Sequence, residues 1–318
     1  MMKRYEQRFP WDLDWNLLRT YMVVVEQRGI TRAANFLGVR QPTISAALKR
    51  LEETVGQNLV DRRPSHFTVT EAGQVLYREC SAVFGTVSQL PQLLNTAENR
   101  ISGHIGIVMT SHVVCRHFDE ILETFNKTYP DVTYSIVVAE SADVLNRLRQ
   151  NRATLGICLM REPDHTLQAQ VLFREYFGLY CGPHHRLFGK AKIRLSELHG
   201  ESSVSFQTDA ESGPLHSVTH LREQALLRTE LKGISANLPE VRRMIVVGLG
   251  IGALPVHVAQ RDVQAGNLWR LPPYTGIPAV DVFCVTNPNR STNPAESKLI
   301  AAITDLIRTV RLEERTYQ

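Results

Sequence analysis

The chain lacks several things, and each absence narrows its chemistry. No apolar run approaches the ~18 residues that a membrane span needs, so no membrane partner is expected. Met1–Trp11 is polar and mixed in charge, with no apolar signal core, which predicts a cytoplasmic location. No Cys-x-x-Cys occurs. The five cysteines (80, 115, 158, 181 and 284) are dispersed and odd in number, which argues against a disulfide framework and for a reducing compartment. No Ser/His/Asp arrangement or carboxylate pair stands out, so no catalytic residues are expected. His216 and His220 lie four apart on a predicted helix, but no third ligand accompanies them and no metal is expected. Gly248-Leu249-Gly250-Ile251-Gly252-Ala253 fits the relaxed G-x-G-x-x-A dinucleotide pattern. Pro255 would interrupt a helix there, and no acidic residue follows roughly 20 positions on, so the segment is read as a helix-to-strand passage and no cofactor is expected.

Charge is also scarce, and its location is informative. The net charge is +4. Residues 1–70 hold eleven Lys and Arg against seven Asp and Glu, whereas the remainder nearly balances. The surplus therefore sits in one short segment, as expected if that segment alone meets a polyanion. With 318 residues, 43% of them apolar, the chain has material for two domains.

The basic segment has a specific pattern. Asp14 can cap a helix running to about Gln27, with Leu18, Tyr21, Met22 and Val25 on its apolar face. Thr31 is the cap candidate for a helix of two turns, stopped by Gly38, with Val39 plugging the turn. Gln41 then caps a third helix with Pro42 at its first position and Ile44, Leu48 and Leu51 buried. Short helix, Gly turn and longer helix with a polar basic face is the spacing of a helix-turn-helix. Small side chains at the start of the third helix let it enter a major groove, where Gln41 suits adenine and Pro42 or Ala46 a thymine methyl. Two β-prone pieces around Arg62-Arg63-Pro64-Ser65-His66 read as a wing beside the groove. The candidate DNA contacts are Thr31, Arg32, Arg40, Gln41, Pro42, Thr43, Ser45, Ala46, Lys49, Arg50, Arg62, Arg63 and His66.

Thr31-Arg-Ala-Ala, Arg40-Gln41-Pro42-Thr43-Ile44-Ser45, Leu51-Glu52, Gly56, Leu59, Arg62 and Thr70-Glu71-Ala72-Gly73 together resemble the DNA-binding signature of the LysR-type transcriptional regulators. Ile30 and Arg40 stand where that family usually has serine, Val60 where it has phenylalanine, and Ala46 where many members carry a polar base reader. The resemblance implies a winged helix-turn-helix, a long linker helix and a two-lobed α/β effector domain like a periplasmic binding protein. It also implies double-stranded DNA, a small-molecule effector and RNA polymerase as partners, and a tetramer.

From Glu71 to about Asn95 a helical pattern is capped by Thr70. Leu76, Cys80, Val83, Val87, Leu90 and Leu94 recur at steps of 4 and 3, a heptad seam that predicts a dimer, until Pro91 ends or kinks the helix. The alternative is that this stripe packs on its own domain.

Further on, strands at Ile105–Met109, Val132–Val138 and Thr154–Leu159 alternate with helices at about Val113–Lys127 and Asp143–Gln150, a parallel β-α-β-α-β unit. A second unit follows with Phe177–Cys181, Ser203–Phe206 and a helix at about Pro214–Arg228. A strand at Val280–Thr286 and a helix from about Asn293 complete the first. The expected domains are 1–70, 71–100 and 101–318, with lobe I at about 101–165 and 267–318 and lobe II at about 166–266. Gly182-Pro183-His184-His185-Arg186-Leu187 and Gly248–Pro255 resemble family landmarks, whereas Asn151-Arg-Ala-Thr154 replaces the usual Gly-x-x-Asp. Ligands of such folds sit at strand C-termini between lobes. The effector candidates are Thr110, Ser111 and His112 after the first strand, where a following helix N-terminus would cradle an anion, and Ser205, Phe206, Gln207 and Asn237 opposite. Two rival classes remain at this level: a cytoplasmic α/β enzyme, and a ligand-binding protein with a helical interaction module.

Overall fold

The computed structural model describes residues 13–63, 66–87, 90, 101–207 and 213–318. Contacts divide the chain into two units, 1–89 and 90–318.

The first unit runs α1 (Trp15–Glu26), α2 (Ile30–Leu37), α3 (Gln41–Val55), β1 (Val60–Arg63), β2 (His66–Val69) and α4 (Glu71–Val87). Asp14 caps α1 by accepting the Asn16 N–H at 3.0 Å. Leu17, Leu18, Tyr21 and Val24 of α1 share one core with Ala33 and Ala34 of α2 and with Ile44, Leu48 and Leu51 of α3. Gly38 closes α2 with φ of 66°, and the Val39 N–H returns to the Ala34 carbonyl. Two caps differ from expectation. Gly29, not Thr31, precedes α2, and Arg40, not Gln41, precedes α3, so Pro42 is its second helical residue. Neither cap uses a side-chain hydrogen bond, so no capping side chain in the sequence marks either helix start. Val39 is exposed instead of plugging the turn.

The wing is the antiparallel pair β1–β2, with Val60 opposite Val69 and Arg63 opposite His66. Glu52 Oε1 anchors its base by accepting the Leu59 N–H at 2.9 Å. Thr70 caps α4, accepting from the Gly73 N–H and donating to the Asn58 carbonyl. The buried Tyr21 hydroxyl donates to the Gly73 carbonyl at 2.7 Å. A Cβ on Gly73 would lie 2.1 Å from the Leu59 oxygen, so only glycine allows this approach.

The heptad seam divides. Leu76 and Cys80 pack into the core of their own unit, whereas Val83 and Val87 are 38% and 48% exposed. Leu90 is exposed too. Pro91 and Leu94 lie outside the described residues. The expected single stripe thus serves two surfaces: its first turns face inward because Tyr21 and Gly73 draw α4 against α1.

In the second unit, β3 (Gly103–Met109), α5 (Arg116–Thr128), β4 (Val132–Val138), α6 (Ser141–Arg149) and β5 (Leu155–Leu159) form the expected parallel unit, with β3 between β4 and β5. Next comes β6 (Gln168–Cys181), one unbroken strand. Lobe II continues with β7 (Ser203–Phe206), α7 (His216–Gln224), β8 (Leu231–Ser235), α8 (Leu238–Val246), β9 (Gly252–Pro255), α9 (Val256–Gln264) and β10 (Trp269–Leu271). The chain returns through β11 (Ala279–Thr286), α10 (Pro294–Thr309) and β12 (Thr316–Tyr317).

Residues 168–176 of β6 pair with β11, while 177–181 pair with β9 and β10. The passage between lobes therefore falls at Tyr176/Phe177, not near 166, and β10 belongs with lobe II although its sequence position suggested lobe I. The strand runs unbroken through the crossing, so no break in its pattern marks the passage, and Gly178 just beyond it makes room for the Arg270 guanidinium. β7 and β8 are parallel, and Ile251 ties them to β9 through backbone bonds to Ser202 and Val204.

Local features follow from chemistry already noted. Gly248–Gly252 joins helix α8 to strand β9, the reverse of the strand-to-helix order of a dinucleotide fingerprint. In the stretch that replaces Gly-x-x-Asp, Asn151 adopts φ of 55°, which asparagine tolerates. Thr154 Oγ1 there accepts the Gly106 N–H and donates to Glu296 Oε1 at 2.6 Å. Glu296 also closes a capping box with Asn293 at the start of α10.

Candidate nucleic-acid interface and effector cleft

Helix α3 presents the expected face. Gln41, Pro42, Thr43, Ala46, Lys49 and Arg50 are exposed and Ser45 is half-buried, opposite the buried Ile44, Leu48 and Leu51. Arg40 stands exposed at its N-terminus. Lys49 reaches Glu53 and Arg50 reaches Asp14, each at 3.8 Å and largely exposed. Such loose, screened pairs contribute little and leave both cations available to a polyanion. Thr31 and Arg32 lie exposed on the first turn of α2. The Arg32 guanidinium turns back to the Arg28 carbonyl and braces the α1–α2 turn, a role its sequence position did not suggest. Arg62, Arg63 and His66 occupy the facing ends of the wing strands; their side chains, with Pro64 and Ser65, lie outside the described residues.

In the second unit the ends of β3 and β7 meet across the lobes. Thr110 (6% exposed) and His112 (4%) are buried and Ser111 is half-buried. The expected cradle is built differently. Helix α5 begins only at Arg116, so its N–H groups are not at Thr110. The helix whose start meets Ser111 is α8 of the opposite lobe: Ser111 Oγ accepts the Leu238 N–H at 2.9 Å and donates to the Ala236 carbonyl at 3.3 Å. One hydroxyl thus bridges the lobes at a helix N-terminus. Asn237 and Gln207 border it, exposed, while Ser205 accepts from Arg222 at 2.9 Å. The His112 ring meets Phe206 edge-on at 6.3 Å, and Phe206 meets Phe177 likewise.

Beneath these residues lies a cluster that sequence reasoning missed. Glu175 of β6 is fully buried, and its Oε1 is 3.7 Å from His112 Nε2, which is itself 3.5 Å from Thr110 Oγ1. Neither Glu175 oxygen has a hydrogen-bond partner among the described residues. Burial holds the Glu175 carboxyl well above the usual carboxylate range. Burial, helped by His257, pushes His112 down to about 4. His257 Nε2 of α9 donates across the lobes to the Val114 carbonyl at 3.1 Å, and the ring stacks on Tyr317 at 5.0 Å. The available signal was Phe173-x-Glu175-x-Phe177: an acid on the apolar face of a strand.

His220 is exposed and paired with Glu223, and no three His, Cys, Asp or Glu side chains are grouped to hold a metal among the described residues. All five cysteines are buried and free. Burial raises Cys158, Cys181 and Cys284 to about 12 and Cys80 to about 11, which keeps them protonated and unreactive.

A three-helix reading head with a wing, followed by two lobes sharing strand β6, has clear counterparts. Residues 15–74 match the model of the bacterial regulatory helix-turn-helix proteins of the lysR family, and residues 98–308 match the LysR substrate binding domain. The chain belongs to the LysR family of transcription regulators. Over 249 residues it is 23% identical to the HTH-type transcriptional regulator CysL of Bacillus subtilis, covering 78% of this chain and 83% of that one. It is 24% identical to the transcriptional activator BauR of Pseudomonas aeruginosa, over 92% and 95% of the two chains. Among solved structures, the LysR family regulator CbnR superposes with a TM-score of 0.65 at 15% identity, covering 92% of this LysR chain and 99% of CbnR. No helix among the described residues is long and apolar enough to cross a membrane.

Proposed function

We propose that this LysR regulator reads a two-fold symmetric DNA site with the start of α3 and changes its action when a small molecule bearing a carboxylate or other anion binds between its lobes. Gln41, Pro42, Thr43, Ser45 and Ala46 face the bases, with Arg40, Lys49, Arg50 and the wing cations on phosphates. Thr31 sits beside the backbone, and Arg32 supports the turn. CbnR, a structural neighbour, has been solved with its target DNA, which supports the same use of this fold here. Exposed Val83 and Val87 on α4 supply a face for self-pairing. The outer strand β4 exposes Ile136 and Val138 and gives the effector domain a second face, consistent with a tetramer. The protein acts in the cytoplasm, where RNA polymerase is its further partner.

The effector reading rests on Ser111. Its hydroxyl takes the Leu238 N–H at the start of α8, the position where an anionic group is favoured by exposed N–H groups and the helix dipole. An effector carboxylate replaces the Ser111 contact and resets the spacing of the lobes, with Thr110, His112, Ser205, Phe206, Gln207 and Asn237 around it. The test is a gel shift with the gene's upstream region across salt, run with a thermal-shift screen of small carboxylates. Specific binding with a steep salt slope is expected, together with a ligand whose affinity falls in Ser111→Ala. A hit whose affinity is unchanged in both Thr110→Ala and Ser111→Ala removes the cleft from consideration.

A further inference from the structure

Glu175 is hard to explain as a structural residue. Its carboxyl is completely buried, with both oxygens unpartnered among the described residues. An unsatisfied buried polar group is destabilising, and more so if charged. An apolar side chain between Phe173 and Phe177, both fully buried, would fill the same strand face without that penalty. Glu175 also lies two residues before Phe177, where the strand passes to the second lobe, so it belongs to the strand shared by both lobes.

Its described surroundings are poor in cations. His112 faces it from the β3–α5 loop at 3.7 Å. Tyr317 of β12 occupies the position paired with it; the Tyr317 ring stacks on His257 of α9, and its hydroxyl meets His117 of α5 and the Cys115 thiol. Val280 of β11 is its apolar partner on the other side. The nearest guanidinium on β12's approach, Arg315, is committed to the Val171 and Leu172 carbonyls. Both His112 and His257 are held toward the neutral form by burial. Among the described residues no cation pairs with the carboxyl, and both of its oxygens stay open to a donor brought from outside.

We propose that Glu175 is a binding residue for a protonated nitrogen of the effector, so that the effector is an amino-carboxylic acid: its carboxylate at Ser111 and the start of α8, its ammonium at Glu175, with His112 between. This rests on the cleft reading given above. His112 joins the two ends, adjacent to Ser111 in sequence and within reach of both Thr110 and Glu175. Phe206 meets both His112 and Phe177 edge-on, and these two phenyl rings would flank the ligand's carbon chain. The proton balance is definite. Before binding, burial favours the neutral acid of Glu175; the ligand arrives already as an ammonium; on binding, the carboxyl proton leaves to solvent and a carboxylate–ammonium pair remains. Binding therefore releases up to one proton below the folded pKa of Glu175, and affinity rises with pH until Glu175 ionises in the free protein.

The experiment uses the full chain and three matched probe sets: the standard and straight-chain ω-amino acids, the corresponding carboxylic acids without the amine, and the corresponding amines without the carboxylate. Thermal shift selects hits, and calorimetry in two buffers of different ionisation heat counts protons. At least one amino acid is expected to bind, about tenfold or more tighter than its deaminated and decarboxylated partners, with proton release. Glu175→Gln, an isosteric neutral change, should lose that preference and the proton release while keeping its fold by circular dichroism; Glu175→Leu should do the same. Three results overturn the proposal: no amino-bearing probe binds, a plain carboxylate binds as tightly as its amino acid, or Glu175→Gln keeps the amino acid's affinity. If plain carboxylates bind and Ser111→Ala weakens them, the cleft stands and only the role of Glu175 falls. If neither variant affects any hit, both fall.

Discussion

Replacing Glu175 by glutamine should uncover a pH dependence that the native protein hides. His112 and Glu175 are buried side by side, and burial moves their proton affinities in opposite directions. His112 falls from 6.5 to about 4. A group whose folded pKa is depressed contributes stability above its unfolded value and loses it as pH falls through the folded one. At ~1.4 kcal/mol per pKa unit, the His112 contribution is about 3 kcal/mol, complete above pH 6.5 and gone near pH 4. Glu175 is raised, so it acts the other way: its contribution is complete below about 4.5 and is lost as pH rises toward its elevated folded pKa. Between pH 4.5 and 6.5 the two slopes oppose each other and the native profile is shallow. In Glu175→Gln only the histidine slope remains. At roughly 2–4 °C per kcal/mol for a domain of this size, the effector-domain transition should drop by about 6–12 °C from pH 7 to pH 4, relative to a Glu175→Gln/His112→Asn double variant. His112→Asn alone should show the reverse trend, losing stability as pH rises from 4.5. Differential scanning calorimetry of the four proteins across this range measures both slopes. Parallel profiles for the native chain and Glu175→Gln would refute the reasoning, because they would mean that the carboxyl titrates as if exposed.

Other consequences concern the first unit. Lys49→Ala should weaken DNA binding similarly on all sequences and lower the salt slope by about 1, whereas Gln41→Ala should cost about 1–3 kcal/mol at one base position and spare the others; salt-dependent gel shifts on a mutated operator set separate the two. Gly73→Ala should destabilise the reading head by several kcal/mol, since the new methyl meets the Leu59 carbonyl at 2.1 Å and the Tyr21 hydroxyl at 2.8 Å; loss of the first unfolding transition is the readout, and an unchanged one contradicts the close approach. Val83→Glu with Val87→Glu should shift sedimentation toward smaller assemblies without changing circular dichroism, as both side chains face solvent in the isolated chain.

The reading head was largely legible in advance because its signals are local. Gly38 needs a left-handed residue, Ile44, Leu48 and Leu51 recur at helical spacing, and Thr70 caps α4, all within a few residues of one another. The parallel β-α-β-α-β start of the effector domain was legible for the same reason. Errors arose where one side chain's role depends on a distant partner. Cys80 followed the heptad pattern but turns inward because Tyr21, on another helix, holds α4 by Gly73. Ser111 was recognised as a candidate, yet the helix that it serves is α8, about 127 residues away, not the one that follows it.

By itself the sequence determined the helix-turn-helix, the basic surplus that marks it and the alternating strands of a two-lobed domain, because periodicity, caps and charge are written in neighbouring residues. Tertiary structure alone decided where the lobes divide, since β6 crosses between them without a break, and what lies at their junction. Glu175 shows why. In the sequence it is one acid in a strand; only folding removes it from water, sets it beside His112 and leaves its oxygens without a donor among the described residues.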